Sequence, residues 1–543
     1  MMTTYSLGVD YGTLSARAVL VSTADGHIAA SAAADYPHGV MDRALPSGKP
    51  LGRDWALQHP QDYVDVLCQI VPQALKEAGI SGSQVVSIGV DFTCSTTLPC
   101  DAAGHPLCLT AEFADEPNAY VKLWKHHAEP QAARILAIAQ EMNLPWLSQS
   151  GGRVSAEWTL PKLLQLRQEA PELYARTSAY VEAGDWIVWL LTGRLTRSES
   201  YAAYKNFTLH GEYPGDDFFA AVHPDFAGIT STLLRGPVLA LTQCAGYLTQ
   251  DMARELGLAP GIPVAPGMTD SHTGVLAAGL CESGDVLSIL GTSACHILQA
   301  QQDKTVTGIA GKVRGGILPG LTSYEANQSM GEVLAWYIDS ACPARCAHEA
   351  EARGVSLHQL MTEQASLLPP GGDGLIALDW FNGNRCILGD SQLSGLILGL
   401  TLRTRPAAIY RALMESSAFG MRAIIDNYAE QGLDVTRIVA MGGIAWKNPL
   451  MMQIIADVLG RDIHVSSARE GAAHGAAIAS AAACGVFPTA GDAVRAMSLP
   501  IEAVYRPGEA RGAYERLYGL FMRLHDGLGR EQKDIMHELA GLS

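Results

Sequence analysis

The sequence predicts an α/β protein built from two related lobes. At 543 residues the chain is too long for one ordinary hydrophobic core. An apolar strand, a tight turn containing Gly-Thr and a second apolar strand occur twice, at residues 5–22 and 285–300. We therefore expect an N-terminal lobe at 1–282, a C-terminal lobe at 283–490, and a helical appendage at 491–543.

The N-terminal lobe is predicted to open with strands and one helix. Alternating or β-branched residues predict strands at 6–9, 17–21, 28–34 and 84–91. Apolar residues at helical spacing predict a helix at 60–78 between the last two strands. This order of three strands, a helix and a strand is typical of an actin-like (ribonuclease H-like) ATPase lobe. A largely helical insertion follows from residue 117 to about 191.

The C-terminal lobe is predicted to contain a long helix at 405–431. Pro406 lies in its first turn, and Gly432 is suited to end it. A strand at 437–440 then leads through Gly442 and Gly443 into a helix at 449–459. The Ala- and Gly-rich residues 471–487 are too weakly hydrophobic to span a bilayer and predict a closely packed internal helix.

Charge and composition limit the classes of partner. The formal net charge of −17 disfavours nucleic acid and anionic membranes, because an extended contact would be repelled. It does not disfavour a nucleotide, whose phosphates are held by local N–H groups and magnesium. Eleven cysteines without a C-x-x-C pair predict reduced thiols, and Asp10 interrupts the first apolar run, unlike a secretory signal. We expect a cytoplasmic protein with neither nucleic acid nor membrane as partner.

The two Gly-Thr turns are candidates for phosphate binding. Glycine lets the backbone approach a ligand closely, while N–H groups and the Thr hydroxyl offer donors to an anion. The first Gly-Thr turn follows Asp10, and the second contains Gly291, Thr292 and Ser293. Together they predict a clamp that holds a nucleotide in a catalytic cleft between the lobes. Two ordinary hairpins are the alternative. The sequence contains no G-x-x-x-x-G-K-[ST] loop that would offer a different phosphate site.

Asp270 is the candidate catalytic base. It follows a short predicted strand and begins a helix of small residues, and phosphoryl transfer to an alcohol needs a carboxylate to accept the hydroxyl proton. Asp is also common as a helix N-cap, so this role stays open beside the first. Ser271 and His272 do not make a catalytic triad with it, because adjacent residues do not converge.

Gly442 and Gly443 form a second candidate binding element. Together with Lys447 and Asn448 they make a strand-to-helix turn, where an adenine or ribose could lie against bare backbone. A pair of glycines needed for packing is the alternative.

Nine short phrases give the chain a family resemblance that covers almost its whole length. Four are general, namely GVDYGT, PGMTD around Asp270, LGTSACH and GGIAWKN. Five are more specific, namely GVDFTCSTTLPCDAAGHPLC (89–108), VKLWKHHA (121–128), EAGDWIVWLLTG (182–193), YEANQS (324–329) and ALDWFNGNR (377–385). In this order and at these separations the chain resembles the FGGY carbohydrate kinases.

The resemblance implies an ATP- and Mg²⁺-dependent kinase of a small sugar. The five specific phrases separate the chain from xylulose and glycerol kinases and imply phosphorylation of L-ribulose at O5, in L-arabinose catabolism. The alternatives are a sister kinase for D-ribulose, xylulose or ribitol, and an actin-like ATPase that is not a kinase. A homodimer is left open.

The resemblance also implies roles for individual residues. Asp270 is implied as the base, and Asp10 as the residue that orders magnesium through water. The remaining positions fall into three groups: phosphate binding by Gly12, Thr13, Arg17, Gly291, Thr292 and Ser293; sugar binding by Lys205, Glu325, Asp270 and the backbone near Cys94; and adenosine binding by Gly442, Gly443 and Asn448.

Overall fold

A computed structural model describes residues 3–542, which form two compact units. The first unit comprises the described residues up to Cys281 together with Lys312–Ser323 and Glu470–Leu499. The second comprises Glu282–Gly311, Tyr324–Arg469 and the chain from Pro500 onward. The units therefore differ from the contiguous lobes expected at 1–282 and 283–490, because two later segments pack with the first unit.

The first unit is built on a central mixed sheet. Its strands lie in the order Gly246–Tyr247, Pro263–Val264, Val85–Phe92, Tyr5–Tyr11, Ser15–Ser22 and Ile28–Asp35, and Met268–Thr269 also pairs with Val85–Phe92. The first two strands of the chain form an antiparallel hairpin in which Asp10 faces Arg17 across the pair. Tyr5–Tyr11 runs parallel to Val85–Phe92, which places Asp10 beside Asp91.

Helices and two smaller sheets complete the first unit. The smaller sheets contain the strands Leu57–Gln58, Val121–Lys122, Thr97–Cys100 and Ala179–Glu182, and the pair Arg197–Ser198 and Val238–Leu239. The helices are Pro60–Ala78, Glu129–Glu141, Thr159–Glu169, Pro171–Arg176, Ala183–Thr192, Glu199–Lys205, Asp216–Val222, Gln250–Leu256, Asp270–Ala277, Gly471–Ala483 and Ala490–Met497.

The helix Gly471–Ala483 packs closely against its two neighbours because a glycine lies at each contact. A Cβ on Gly8 or Gly89 of the sheet would lie 1.8 or 2.0 Å from its carbonyl oxygens. On its other side, a Cβ on Gly475 would lie 1.9 Å from the carbonyl oxygen of Thr273, in the helix that begins at Asp270. The predicted internal helix is thus a spacer between the sheet and the helix that carries the candidate base.

The second unit repeats the same central arrangement. Seven strands lie in the order Gly311–Arg314, Thr322–Ser329, Ser293–Ala300, Asp285–Leu290, Arg437–Met441, Ile463–Ser466 and Ile501–Tyr505. Here too the first two strands in sequence form an antiparallel hairpin, and Asp285–Leu290 runs parallel to Arg437–Met441. The helices are Gly331–Trp336, Ala344–Arg353, Leu357–Ser366, Pro406–Glu430, Gly443–Lys447, Pro449–Leu459, Arg511–Asp526 and Lys533–Ala540, and the short strands Ile376–Leu378 and Leu396–Leu398 form a separate pair.

The prediction that residues 491–543 are a helical appendage is wrong in one respect, because the segment also contains a strand. Ile501–Tyr505 is a strand that pairs antiparallel with Ile463–Ser466 at the edge of the second sheet. Its side chains are only half-buried or exposed, so the sequence pattern of a buried strand is weak there. The helices Arg511–Asp526 and Lys533–Ala540 follow it, as expected for the end of the chain.

Within residues 3–542, none of the helices combines the length and the apolar character needed to cross a bilayer.

Candidate active site

Three carboxyl groups meet at one edge of the first unit's sheet. Asp10 and Asp91 are paired residues on neighbouring parallel strands. Met268 pairs with Asp91 from the other side, and Asp270 follows two residues later at the start of its helix. Because the carboxyl ends of parallel strands meet at the same edge, residues 91 and 10, and then 270, are brought together although they are far apart in sequence.

Burial changes the acidity of all three groups. Burial, together with the neighbouring Asp10, raises the pKa of Asp270 from 3.8 to about 6. Burial likewise raises the pKa of Asp10 and, well above its ordinary value, that of Asp91. Neither oxygen of Asp91 accepts a conventional hydrogen bond within the described part of the chain, and its contact with Asp10 is a hydrogen bond only when one of the two carboxyls holds a proton.

Asp270 is the first residue of its helix rather than the N-cap. Thr269 occupies the N-cap position, and the Oδ1 atom of Asp270 accepts the N–H of Ser271 at 2.7 Å. The local hydrogen bond leaves the second carboxyl oxygen for other partners. The buried Nδ1 atom of His272 lies 3.4 Å from the hydroxyl of Ser200, and Ser271 and His272, as neighbours in the chain, do not converge as a triad requires.

The first Gly-Thr turn is held by side chains from elsewhere in the first unit. The N–H of Gly12 donates to the carbonyl of Ser15 at 3.0 Å. The amide of Gln58 donates to the carbonyl of Thr13 at 2.7 Å, and the indole of Trp124 donates to its hydroxyl at 3.1 Å. The hydroxyl of Tyr63 in turn donates to Gln58 at 2.6 Å, which orients the amide. Sequence reasoning missed Gln58, because an isolated Gln in a two-residue strand carries no motif.

Arg17 forms an ion pair with Glu470. Glu470 directly precedes the helix Gly471–Ala483 and lies 453 positions from Arg17 in the sequence. The Arg17 side chain is still 36% exposed. It is therefore oriented by the pair and also accessible to a ligand. A partner at this separation could not be found from local sequence.

Lys205 and Cys94 lie near Asp270 in the first unit. Lys205 ends the helix Glu199–Lys205, and its ammonium lies 5.3 Å from the centre of the Tyr204 ring. The positive charge of Lys205 opposes the upward pKa shift of both Asp270 and Cys94. Burial nevertheless raises the pKa of the Cys94 thiol to about 12, so the thiol is neutral and the residue is not a nucleophile.

A buried lysine fixes the backbone beside Cys94. The Lys162 ammonium donates to the carbonyl of Ser95 at 2.6 Å and to that of Leu123 at 2.8 Å. Ser95 has a φ of 65°, a left-handed conformation that non-glycine residues adopt only when their surroundings require it. Burial lowers the pKa of Lys162, and the nearby Glu182 opposes that shift. Lys162 lies in the predicted helical insertion, and nothing in the spacing of the sequence marks it as a site residue.

The second Gly-Thr turn is held by backbone groups instead. The N–H of Gly291 donates to the carbonyl of Ser293 at 3.1 Å. The helix Gly331–Trp336 begins against this turn, with Gly331 N–H donating to Gly291 O at 3.1 Å and Glu332 N–H to Thr292 O at 2.9 Å. These bonds use carbonyls of the turn, so the Thr292 and Ser293 hydroxyls are not needed to hold its shape.

Gly442 and Gly443 differ in their surroundings. Gly442 has a φ of 100°, and a Cβ there would lie 2.6 Å from the carbonyl oxygen of Leu290. A Cβ on Gly443 would meet no atom within 4 Å. Gly442 is therefore required by packing, which was the alternative interpretation, whereas Gly443 presents bare backbone to open space.

Asn448 and Glu325 are the other predicted site residues of the second unit. Asn448 is the N-cap of the helix Pro449–Leu459, and its Oδ1 atom accepts the N–H of Met451 at 3.0 Å. Glu325 lies on the strand Thr322–Ser329, is 7% exposed, and accepts the side-chain amide of Asn327 at 3.3 Å. Both side chains are thus fixed by the protein itself.

Two family models together match most of the chain. The N-terminal domain of the FGGY family of carbohydrate kinases matches residues 5–277, and the C-terminal domain matches residues 286–484. The chain belongs to the FGGY family of carbohydrate kinases. This FGGY protein is therefore a carbohydrate kinase, and kinases of this family use ATP as the phosphoryl donor.

Full-length relatives and solved structures agree with this family. A ribulokinase from Halalkalibacterium halodurans is 43% identical over 551 residues, covering 100% of this chain and 98% of that protein. A ribulokinase from Mycolicibacterium smegmatis is 43% identical and covers 97% and 94%. The crystal structure of xylulose kinase from Rhodospirillum rubrum has a TM-score of 0.81 at 24% identity, covering 98% of this chain and 100% of that chain. The predicted fold class, two actin-like α/β lobes, is confirmed.

Proposed function

We propose that this FGGY kinase transfers the γ-phosphoryl group of ATP to O5 of L-ribulose, giving ADP and L-ribulose 5-phosphate in L-arabinose catabolism in the cytoplasm. The proposal is supported by several ribulokinases that are about 43% identical over essentially the full length. Domain matches to the family alone would leave the sugar open, because its structural neighbours include xylulose and gluconate kinases.

Asp270 is the proposed base, and its environment is the observation that carries the mechanism. As O5 attacks the γ-phosphorus, the Asp270 carboxylate accepts the O5 proton. A pKa of about 6 leaves the carboxylate ionised at neutral pH, yet makes it a stronger base than an exposed aspartate. The hydrogen bond from the Ser271 N–H orients the carboxylate.

We propose three further sets of contacts, to the phosphates, the sugar and the adenosine. The phosphates contact Gly12, Thr13 and Arg17 in the first unit, and Gly291, Thr292 and Ser293 in the second. The sugar contacts Lys205, Glu325, Asp270 and the backbone near Cys94, which Lys162 fixes. The adenosine contacts Gly442, Gly443 and Asn448. Of these last three, Gly443 offers the open backbone.

The acidic edge of the first unit fits a divalent cation. Asp91 is buried beside the half-buried Asp10, and both oxygens of Asp91 lack a conventional hydrogen-bond partner within residues 3–542. We propose that Asp10 holds Mg²⁺ through water. Bound there, Mg²⁺ would neutralise charge that develops on the phosphoryl oxygens. Oxygen ligands of this kind are those that Mg²⁺ prefers.

A coupled assay of ADP release tests the proposal with a panel of L-ribulose, D-ribulose, xylulose and ribitol. We expect the highest kcat/KM with L-ribulose, and no turnover when Mg²⁺ is removed. A higher kcat/KM with another acceptor would assign the enzyme to a sister kinase. Slow ATP hydrolysis that no pentose stimulates would instead indicate an ATPase that is not a kinase. Light scattering checks whether the kinase is a homodimer.

A further inference from the structure

Two histidines and an aspartate, none of them among the carboxylates described above, converge on the surface of the first unit. The residues are His38, His59 and Asp62, and one ligand atom from each lies within 4.8 Å of the others. His38 lies in the turn after the strand Ile28–Asp35. His59 and Asp62 lie at the start of the helix Pro60–Ala78, where His59 is the N-cap residue. The helix start and the turn thus bring together side chains that are over 20 positions apart in sequence.

The cluster is rigid at Asp62 and His59 and accessible at His38. Asp62 is 2% exposed, and its Oδ2 atom accepts the backbone N–H of His38 at 3.0 Å while its Oδ1 atom lies 2.7 Å from His38 Nδ1. The His38 and His59 rings stack with their centres 4.4 Å apart. The Tyr120 ring supports the His59 ring, with the centres 5.8 Å apart. The His38 side chain is 39% exposed, so a small ligand can reach the cluster from solvent.

His59 has an unsatisfied nitrogen at this place. Its buried Nδ1 atom has no hydrogen-bond partner among the described residues, and its side chain does not cap the helix. The pKa of His59 is lowered, by burial first and then by the neighbouring His38. A neutral imidazole with a free nitrogen lone pair is the form of histidine that binds a metal ion.

We propose that His38, His59 and Asp62 bind one divalent transition-metal ion of the Zn²⁺, Co²⁺ or Ni²⁺ class. Two imidazole nitrogens and a carboxylate suit these metals, whereas Mg²⁺ prefers oxygen ligands alone. Around a tetrahedral Zn²⁺ with bonds near 2.0–2.1 Å, ligand atoms are about 3.4 Å apart. The ligand atoms lie within 4.8 Å of one another, and a shift of the exposed turn at His38 would bring them to that spacing as the metal takes the place of the proton shared with Asp62.

The site would bear on the first Gly-Thr turn through the neighbouring residue. Gln58 directly precedes His59, and its amide holds the carbonyl of Thr13. A metal that ties His59 to the turn at His38 would therefore restrict the segment that carries Gln58. The metal proposal itself does not depend on the proposed kinase reaction.

The chain offers a matched control for the test. His105 and Asp101, also in the first unit, make the same two contacts as His38 and Asp62. The backbone N–H of His105 donates to Asp101 Oδ1 at 2.9 Å, and His105 Nδ1 lies 3.0 Å from Asp101 Oδ2. Within residues 3–542, His105 and Asp101 are not part of any group of three side chains that could hold a metal ion. Loss of His105 therefore reports what a surface His–Asp pair alone contributes.

Full-length protein stripped with a chelator would be titrated with Co²⁺ in excess Mg²⁺, and bound cobalt measured by equilibrium dialysis and visible absorption. We expect one Co²⁺ per chain in the wild type and in His105→Gln, lost in both His38→Gln and His59→Gln. The spectrum should lack thiolate charge-transfer bands, which distinguishes this site from the eleven cysteines. Equal cobalt in the wild type and His59→Gln, or none above the buffer blank, would overturn the proposal.

Hydrogen exchange locates the ion independently. Co²⁺ should slow exchange in peptides covering residues 36–62 of the wild type, and should leave those of His59→Gln unchanged. Circular dichroism in metal-free buffer would verify that both histidine variants fold like the wild type. Protection that appears elsewhere and not at residues 36–62 would contradict the assignment.

Discussion

The two Gly-Thr turns share a backbone design but differ in what surrounds them. Each joins an antiparallel hairpin whose first strand runs parallel to a later strand. The first turn is held by side chains of Gln58 and Trp124 and lies beside buried carboxyl groups. The second is held by N–H groups at the start of a helix. A repeated fold element therefore does not imply a repeated role. Titratable carboxyl groups adjoin the first turn, which suits the chemical step, while the second turn offers neutral backbone.

The largest expected effect tests whether the chemical step belongs to the first unit. Asp270→Asn keeps the side-chain shape but removes the base, so kcat should fall by about 10²–10⁴-fold. ATP affinity, measured by titration calorimetry, should change little. The matched control is Asp379→Asn in the second unit, another buried carboxyl whose pKa burial raises, to about 7. Near-normal turnover in Asp270→Asn, or an equal loss in the control, would contradict the assignment of the chemical step to the first unit.

A pair of glycine variants tests the neutral backbone of the second unit. Gly442→Ala should lower the free energy of unfolding by about 1–3 kcal/mol, because it combines an unfavourable φ with a clash against Leu290. Gly443→Ala should leave thermal unfolding unchanged, since its Cβ enters open space, but should weaken ATP binding about tenfold. Unchanged ATP affinity in a folded Gly443→Ala protein would remove this residue from the nucleotide site.

The pH dependence should follow Asp270. The base must be ionised, so kcat/KM for the sugar should fall about tenfold per pH unit below about pH 6. The stability effect has the opposite sense. Because the pKa rises from 3.8 to about 6 on folding, the folded state binds more protons between those values, and ionisation at higher pH costs about 3 kcal/mol of stability.

Asp270→Asn therefore offers a second readout of that shift. It should raise the melting temperature at pH 8 and have a smaller effect at pH 5, as differential scanning calorimetry would measure. A variant that is less stable than the wild type at pH 8 would show that burial does not penalise this carboxylate.

The smallest expected effect tests whether the first turn itself binds phosphate. Gln58→Met keeps about the same side-chain length but loses the donor to the Thr13 carbonyl, a hydrogen bond of about 0.5–1.5 kcal/mol. KM for ATP should rise about 2- to 10-fold in steady-state kinetics. Gln61→Met, at a half-buried position nearby that does not touch the turn, should behave like the wild type. Equal KM values in both variants would argue that the first turn does not contact the nucleotide.

Much of the fold followed from local sequence. The helices at 60–78 and 449–459 begin and end where predicted, because proline in the first turn and glycine at the C-terminus mark both. The two strands of the first hairpin extend one or two residues beyond their predicted limits at each end. The edge strand Ile501–Tyr505 was missed, since a half-buried strand lacks a strong apolar pattern.

The sequence by itself determined the family, the two hairpins and the candidate base, because these depend on short motifs and local periodicity. Only the tertiary structure decided what surrounds them. It brought Glu470 to Arg17, Gln58 to Thr13 and Lys162 to Ser95, and it distinguished Gly443 from Gly442. These contacts join residues distant in the chain, or depend on the space around a backbone atom. Long-range contacts and the space around a backbone atom cannot be predicted from local sequence, because both arise only when the sheets and helices pack.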